Sequence, residues 1–377
     1  MTDPREQALD YLSRLGRSPA TAFKENGVAD AVRAILDELG LDHRQDTFGN
    51  IIAKINGTDS TANPLAIVAH MDHPGFEITG SDPNGSNNSY VAKAMGGVPT
   101  SSFEAGVPVQ VLLPDGSRVR GATAGKFGDD SERQVLVRLE QPLDLEPPVS
   151  VVFDLVDFEL DGQYIRMRAV DDLAGCGSIL AALARLLPRF NQGEAPPGDV
   201  YGVFTRAEEV GLVGARLMAE AGTLPPETLV ISAESSRTLP GAEMGEGPVI
   251  RVGDAGFTFA ADAEAVLVRA RETIRERDSG FKCQRQLMSG GTCEASAFAV
   301  YGYQTTGIAF PLGNYHNGAP EGRIEAEYIH IDDYLGGVEL LTEAALRVSD
   351  RANTAFRQRL REVPSDLRQR MLDTSGG

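Results

Sequence analysis

Apolar positions along this chain change their spacing twice. Near the amino terminus Val28, Val32, Ile35, Leu36 and Leu39 recur at helical intervals, and Gly40 ends the run. Turn residues follow at Asp46-Thr-Phe-Gly-Asn50, then a strand-like Ile51–Ile55. Residues 65–69 are apolar without a break, as in a central parallel strand buried on both faces. From about residue 76 to 168 no long helical period remains. Val109, Val111 and Leu113 alternate into Pro114-Asp115-Gly116 and resume at Val119, which predicts a β-hairpin. Val135, Val137 and Leu139 alternate again. Helical spacing returns with Leu173, Ile179, Leu180, Leu183 and Leu187. Strands and helices then alternate, with helices expected near 211–221, 262–277 and 333–348 and a charged terminal helix within 351–377. The pattern predicts an α/β domain built from residues 1–75 and 167–377. Residues 76–166 form an inserted β-barrel or sandwich.

Composition narrows the partners. A net charge of −19 disfavours nucleic acid and anionic membrane. It would attract cationic groups such as the free amino terminus of a peptide. Three cysteines, Cys176, Cys283 and Cys293, show no CxxC spacing, so neither a disulfide scaffold nor a zinc ribbon is indicated. No stretch approaches the ~18 apolar residues that span a bilayer. The polar amphipathic start lacks the pattern of a secretory leader. A cytoplasmic location is expected.

The candidate chemistry lies where apolar runs end. His70 follows residues 65–69, Glu208-Glu209 follow 201–204, Glu234 follows 228–232, and His316 lies beyond 307–310. In an open α/β sheet such positions converge at the carboxyl ends of the strands. Each motif has an ordinary reading: acidic pairs favour helix amino termini, Asp171-Asp172 suits an N-cap, and a strand-end histidine is often merely packed. Together they make a set that two cations could share. His70, Asp171, Glu209, Glu234 and His316 supply three ligands to each ion, with Asp171 counted twice. Imidazole and carboxylate oxygen suit Zn²⁺, Co²⁺ or Mn²⁺. Glu208 is left free as a general base. Asp72, two residues past His70, could accept its second ring N–H.

The order His-x-Asp, Asp-Asp-x-x-Gly, Glu-Glu-Val-Gly, a strand-end Glu and Tyr-His resembles the tetrahedral (TET) and glutamyl aminopeptidase family of dinuclear metallopeptidases. Gly49-Asn50, Gly247-Pro248-Val249-Ile250, Gln284, Gly290-Gly291-Thr292 and Gly307-Ile308 add to the likeness. The resemblance implies a three-layer α/β/α catalytic domain with a mixed sheet, and an inserted small β-barrel that mediates dimerisation. It implies one ion on His70, Asp171 and Glu234 and another on Asp171, Glu209 and His316. Glu208 would be the base, Asp72 the support of His70, and Asp171-Asp172 a cis peptide. It also implies two divalent ions, zinc with cobalt or manganese as alternatives, a peptide substrate, and a homo-oligomer built from dimers up to a dodecamer. The implied activity is removal of amino-terminal residues. An N-acyl amino acid deacylase or carboxypeptidase on the same centre is the alternative, and a non-catalytic shell protein a third reading. His73-Pro74, Leu173, Glu234 in place of aspartate, and Thr292-Cys293-Glu294 depart from the pattern. They bear on substrate preference.

Overall fold

The computed structural model describes residues 3–85, 87–190 and 193–375. The chain opens with helices α1 (Pro4–Gly16) and α2 (Asn26–Glu38) and strands β1 (His43–Gln45), β2 (Ile51–Ile55) and β3 (Leu65–His70). Six barrel strands follow: β4 (Gly75–Ser81), β5 (Ser89–Met95), β6 (Ala105–Leu112), β7 (Arg118–Phe127), β8 (Gln134–Leu139) and β9 (Val149–Phe153). Next come β10 (Glu159–Asp161), β11 (Tyr164–Met167), α3 (Val170–Phe190), β12 (Val200–Thr205), α4 (Val213–Glu220), β13 (Leu229–Arg237) and β14 (Val249–Arg251). The rest is α5 (Ala261–Arg277), β15 (Gln284–Gln286), α6 (Glu294–Val300), β16 (Gln304–Leu312), β17 (Glu327–His330), α7 (Ile331–Arg347), α8 (Ala355–Arg361) and α9 (Ser365–Asp373).

The main sheet runs β1-β2-β12-β3-β13-β16-β14-β15, and its central four strands, β12, β3, β13 and β16, are parallel. Period-two alternation sorts their side chains between two layers. Leu65, Ile67 and Ala69 of β3 join the core formed with α1, α3, α5 and α7. Ala66 and Val68 face the opposite core, with Met218 of α4 and Phe298 of α6. The result is the expected three-layer α/β/α arrangement.

Strands β4 to β9 close into a barrel in the order β4-β5-β8-β7-β6-β9, with its own core around Phe76, Val109, Val137 and Phe153. The hairpin expected around Pro114-Asp115-Gly116 joins β6 to β7. The barrel ends at Phe153, earlier than residue 166. β10 and β11 pair instead with β17 in a three-stranded sheet. Ile165 and Met167 are the physical reason, because they insert into the main core and hold this stretch to the α/β domain. No helix among the described residues is long and apolar enough to cross a membrane.

Candidate metal centre

The parallel strands bring the marked residues together. His70 is the last residue of β3, and its neighbour β12 ends at Thr205, directly opposite it in register. The chain then turns through Ala207, whose φ of 52° lies in the left-handed region, and presents Glu208 and Glu209. Glu234 sits within β13 on the other side of β3. His316 follows β16 in a short turn where Asn314, His316 and Asn317 all have positive φ (53°, 54° and 63°). Backbone of this kind persists only where its surroundings determine it, and such residues collect at functional sites. Asp171 enters at the start of α3, and the Asp171–Asp172 peptide is cis.

Asp171 stands between the two histidines. Its Oδ1 is 3.4 Å from Nε2 of His70, and its Oδ2 is 3.7 Å from Nε2 of His316. Around His70 Nε2 lie Glu234 Oε1 and Glu208 Oε2, each at 3.8 Å. Glu209 Oε1 is 3.5 Å from His316 Nε2. Both rings are held from behind. Nδ1 of His70 donates to the carbonyl of Asp72 at 3.0 Å, and Nδ1 of His316 donates to the carbonyl of Gly97, in the turn after β5, at 2.9 Å. With Nδ1 occupied in this way, Nε2 of each ring is the nitrogen that faces the carboxylates and the one that could ligate metal.

Asp72 adjoins His70 Nδ1 with both its carboxylate and its backbone carbonyl. Its carboxylate lies 3.6 Å from His70 Nδ1, while its own backbone carbonyl takes that ring proton. The carboxylate also accepts the amides of Glu208 and Glu209 at 2.9 and 3.1 Å. Strand β3 thus anchors the acidic turn after β12.

The electrostatics show what the nest lacks. Burial, then the charge of Glu234, lifts the Asp171 carboxyl to about 7. Burial and neighbouring carboxylates also push Glu208 and Glu209 well above the usual range. Burial opposes a charge on His70, yet Glu208, Asp171, Asp72 and Glu234 together hold its pKa high. For His316 burial prevails and depresses it to about 3. Asp171 Oδ1, Asp172 Oδ2 and Glu234 Oε2 are buried without hydrogen-bond partners. Orphaned, mutually repelling carboxylate oxygens facing the Nε2 atoms of two histidines call for a cation. Three sets, His70/Asp171/Glu209, His70/Glu208/Glu234 and Asp171/Asp172/Glu234, each gather ligand atoms within 4.8 Å of one another. The residues present fit divalent metal.

A cavity of about 270 Å³ opens beside this cluster. Arg237, Arg251, Met288, Ser289, Thr292 and Tyr315 are among its walls. Tyr315 stacks on His316, with ring centroids 3.7 Å apart, and Arg237 lies over Tyr315 at 4.8 Å. Cys293 is fully buried outside the cavity wall, and burial raises its thiol to about 12, so it is inert. Glu294 is buried below the site, accepting from Thr205 and Ser232 hydroxyls at 3.1 and 3.0 Å. His73 supports Asp171: its Nδ1 donates to the Asp171 carbonyl at 2.6 Å, and burial lowers its pKa to about 4.

Three contributors were missed in the sequence. Glu327 accepts the amide of Asp171 at 2.9 Å and that of His316 at 2.8 Å, joining two candidate ligands through one buried carboxylate. Gly97 is the second. The third is Arg251, buried 3.9 Å from Glu234 Oε2. Of these only Arg251 had a signal, since it directly follows the noted Gly247–Ile250 motif.

Several known proteins share this architecture. A candidate aminopeptidase of Acetivibrio thermocellus is 24% identical over 355 residues, covering 90% of this chain and 98% of its own. The solved structure of an aminopeptidase from the archaeon Desulfurococcus kamchatkensis superposes with a TM-score of 0.74 at 22% identity, covering 94% of this chain and 99% of its own. The TET1 peptidase of Pyrococcus horikoshii, which can assemble into a tetrahedron or a large octahedral shell, gives 0.72 at 23% identity, with coverage of 90% and 99%. At these identities the likeness establishes the shared fold. The profile of the M42 glutamyl aminopeptidases matches residues 143–340, from within the barrel into α7. That match spans more than half of the chain, and on it this protein belongs to the M42 glutamyl aminopeptidase family, a family of peptidases.

Proposed function

We propose that this chain is an aminopeptidase with a dinuclear metal centre, and that Glu208 is its general base. The observation that carries the reading is the placing of Asp171, whose two oxygens address His70 and His316 separately. His70, Asp171 and Glu234 would hold one ion, and Asp171, Glu209 and His316 the other. Divalent ions, zinc being the best match to this donor set, supply positive charge that polarises the scissile carbonyl and makes a water acidic.

The chain's own groups do the rest. Glu208, left unligated in this assignment, takes the proton of the attacking water as oxygen bonds to the carbonyl carbon. It returns that proton to the leaving nitrogen as the C–N bond breaks, releasing a free amino acid and a shortened peptide. Asp72 keeps Glu208 in place through the turn amides. The acidic surround favours the ammonium of an unblocked amino terminus, and the adjoining cavity receives the first side chain. In keeping with the Pyrococcus relative, we take the protein to be a homo-oligomer in which the barrel mediates dimerisation. Its setting is cytoplasmic.

Glu208→Gln tests the base. We expect metal content to stay at wild-type level while kcat falls by roughly 10²–10⁴. Near-full activity would reject Glu208. The substrate class is tested with matched free and amino-blocked aminoacyl amides. Turnover confined to the free amides supports the reading, whereas hydrolysis of the blocked ones would make the enzyme a deacylase.

A further inference from the structure

The carboxyl-terminal segment beyond Asn353 has no part in the centre and lies past the end of the family match at residue 340. It is tied down only at its root. Thr354 is buried, the amide of Ala355 reaches the Glu272 carboxylate of α5 at 3.1 Å, and Arg357 pairs with Asp262 at 2.8 Å. Every residue from Gln358 to Ser375 is then exposed. Helices α8 and α9 and the link between them present Phe356, Leu360, Val363, Leu367, Met371 and Leu372, each at least half exposed. Phe356/Leu360 and Leu367/Met371 are four apart, so each pair lies on one helix face.

Helices of seven and nine residues are too short to be stable in water on their own. They hold when an apolar face is packed, and among the described residues nothing covers these faces. Charge indicates what does. The segment carries Arg357, Arg359, Arg361, Arg368 and Arg370 against Glu362, Asp366 and Asp373. It is a basic arm on a body whose excess of acid gives the whole chain a net charge of −19. Among the described residues, Arg359, Arg361, Arg368 and Arg370 pair with no carboxylate. Two such arms would repel each other, so arm-to-arm packing is disfavoured. The acidic surface of another body complements the arm in sign.

We propose that α8 and α9 form an assembly arm that docks on the acidic body of a second copy of this chain, at an interface separate from the barrel. This goes beyond the metal-centre reading and does not depend on it. Under this proposal Glu208→Gln keeps the full particle mass.

The test is the mass of the particle in solution, measured by light scattering on the full chain, on a chain ending at Asn353, and on R359E/R361E/R368E/R370E. Both variants are expected to give particles of half the full-length mass or less, with metal content per chain unchanged. Raising salt from about 0.05 to about 0.5 M should dissociate the full-length particle toward the same size. Should the truncated chain misfold, the charge-reversed chain decides, since its four altered side chains lie on the surface. Retention of the full-length mass by the charge-reversed chain overturns the proposal. So does a full-length chain that is monomeric at about 50 μM. Sedimentation of the full chain with phosphatidylserine vesicles, through the arm and with no change in particle mass, also overturns it, because the arm would then be a membrane contact.

Discussion

Asp171 concentrates more of this molecule's chemistry than any other side chain. It faces both histidines, its amide is held by Glu327 and its carbonyl by His73. On the proposed reading a shared ligand would make the two ion sites interdependent, since removing it uncovers repelling carboxylates on both sides. Asp171→Ala is expected to lose both ions together, with metal per chain by mass spectrometry falling from two toward none and activity falling by at least about 10²-fold. Loss of a single ion would reject the bridge. The position of Glu234 was legible in sequence because it ends an apolar run. The reach of its second oxygen toward Arg251 was not, because that contact joins β13 to β14 across β16.

At the scale of elements, the legible part was what local pattern encodes. Apolar runs located β3, β12, β13 and β16, and parallel order placed their ends at one edge. Alternation around Pro114-Asp115-Gly116 located the β6–β7 hairpin. The supports were not legible. Glu327 reaches the site from β17, a strand whose partner β11 lies more than a hundred residues away in sequence, and nothing near Glu327 marks it. Gly97 is a similar case. A Cβ on it would lie 2.5 Å from Nδ1 of His316, and one on Gly96, with φ of 85°, would lie 3.0 Å from Cβ of Glu209. Gly97→Ala must therefore displace the His316 ring. We expect the second ion to bind about 10–100-fold more weakly while the first is little changed, read by competitive chelator titration. Equal weakening of both would show that the glycine acts on the fold and not on His316.

The whole molecule is joined across its two parts by charge. Asp157, in the segment between β9 and β10, accepts from Arg118 of the barrel strand β7 at 2.9 Å and from Arg168, just before α3, at 2.5 Å. Arg168 is buried, and its Nε also donates to the Phe153 carbonyl at 2.9 Å. Burial would raise the Asp157 carboxyl, but the two guanidiniums outweigh it and hold it below the usual range. A depressed folded pKa gives stability that is present above the unfolded value of about 3.9 and lost as pH falls through the folded one. Asp157→Asn leaves the Arg168 charge uncompensated. It should cost about 2–3 kcal/mol at pH 7 by urea denaturation, discounted because Asp157 is partly exposed. The gap between variant and parent should shrink as pH falls below about 4. A gap independent of pH would mean that packing, not charge, is what Asp157 contributes.

The glycine turn at residues 96 and 97 gives the barrel a second consequence. It leaves β5 as part of the insertion and ends as the wall against which His316 rests. The inserted module is therefore no interchangeable cassette. A chimera that spliced a different small domain between His70 and Asp171 would keep every candidate ligand in the sequence and still lose the backstop of one imidazole.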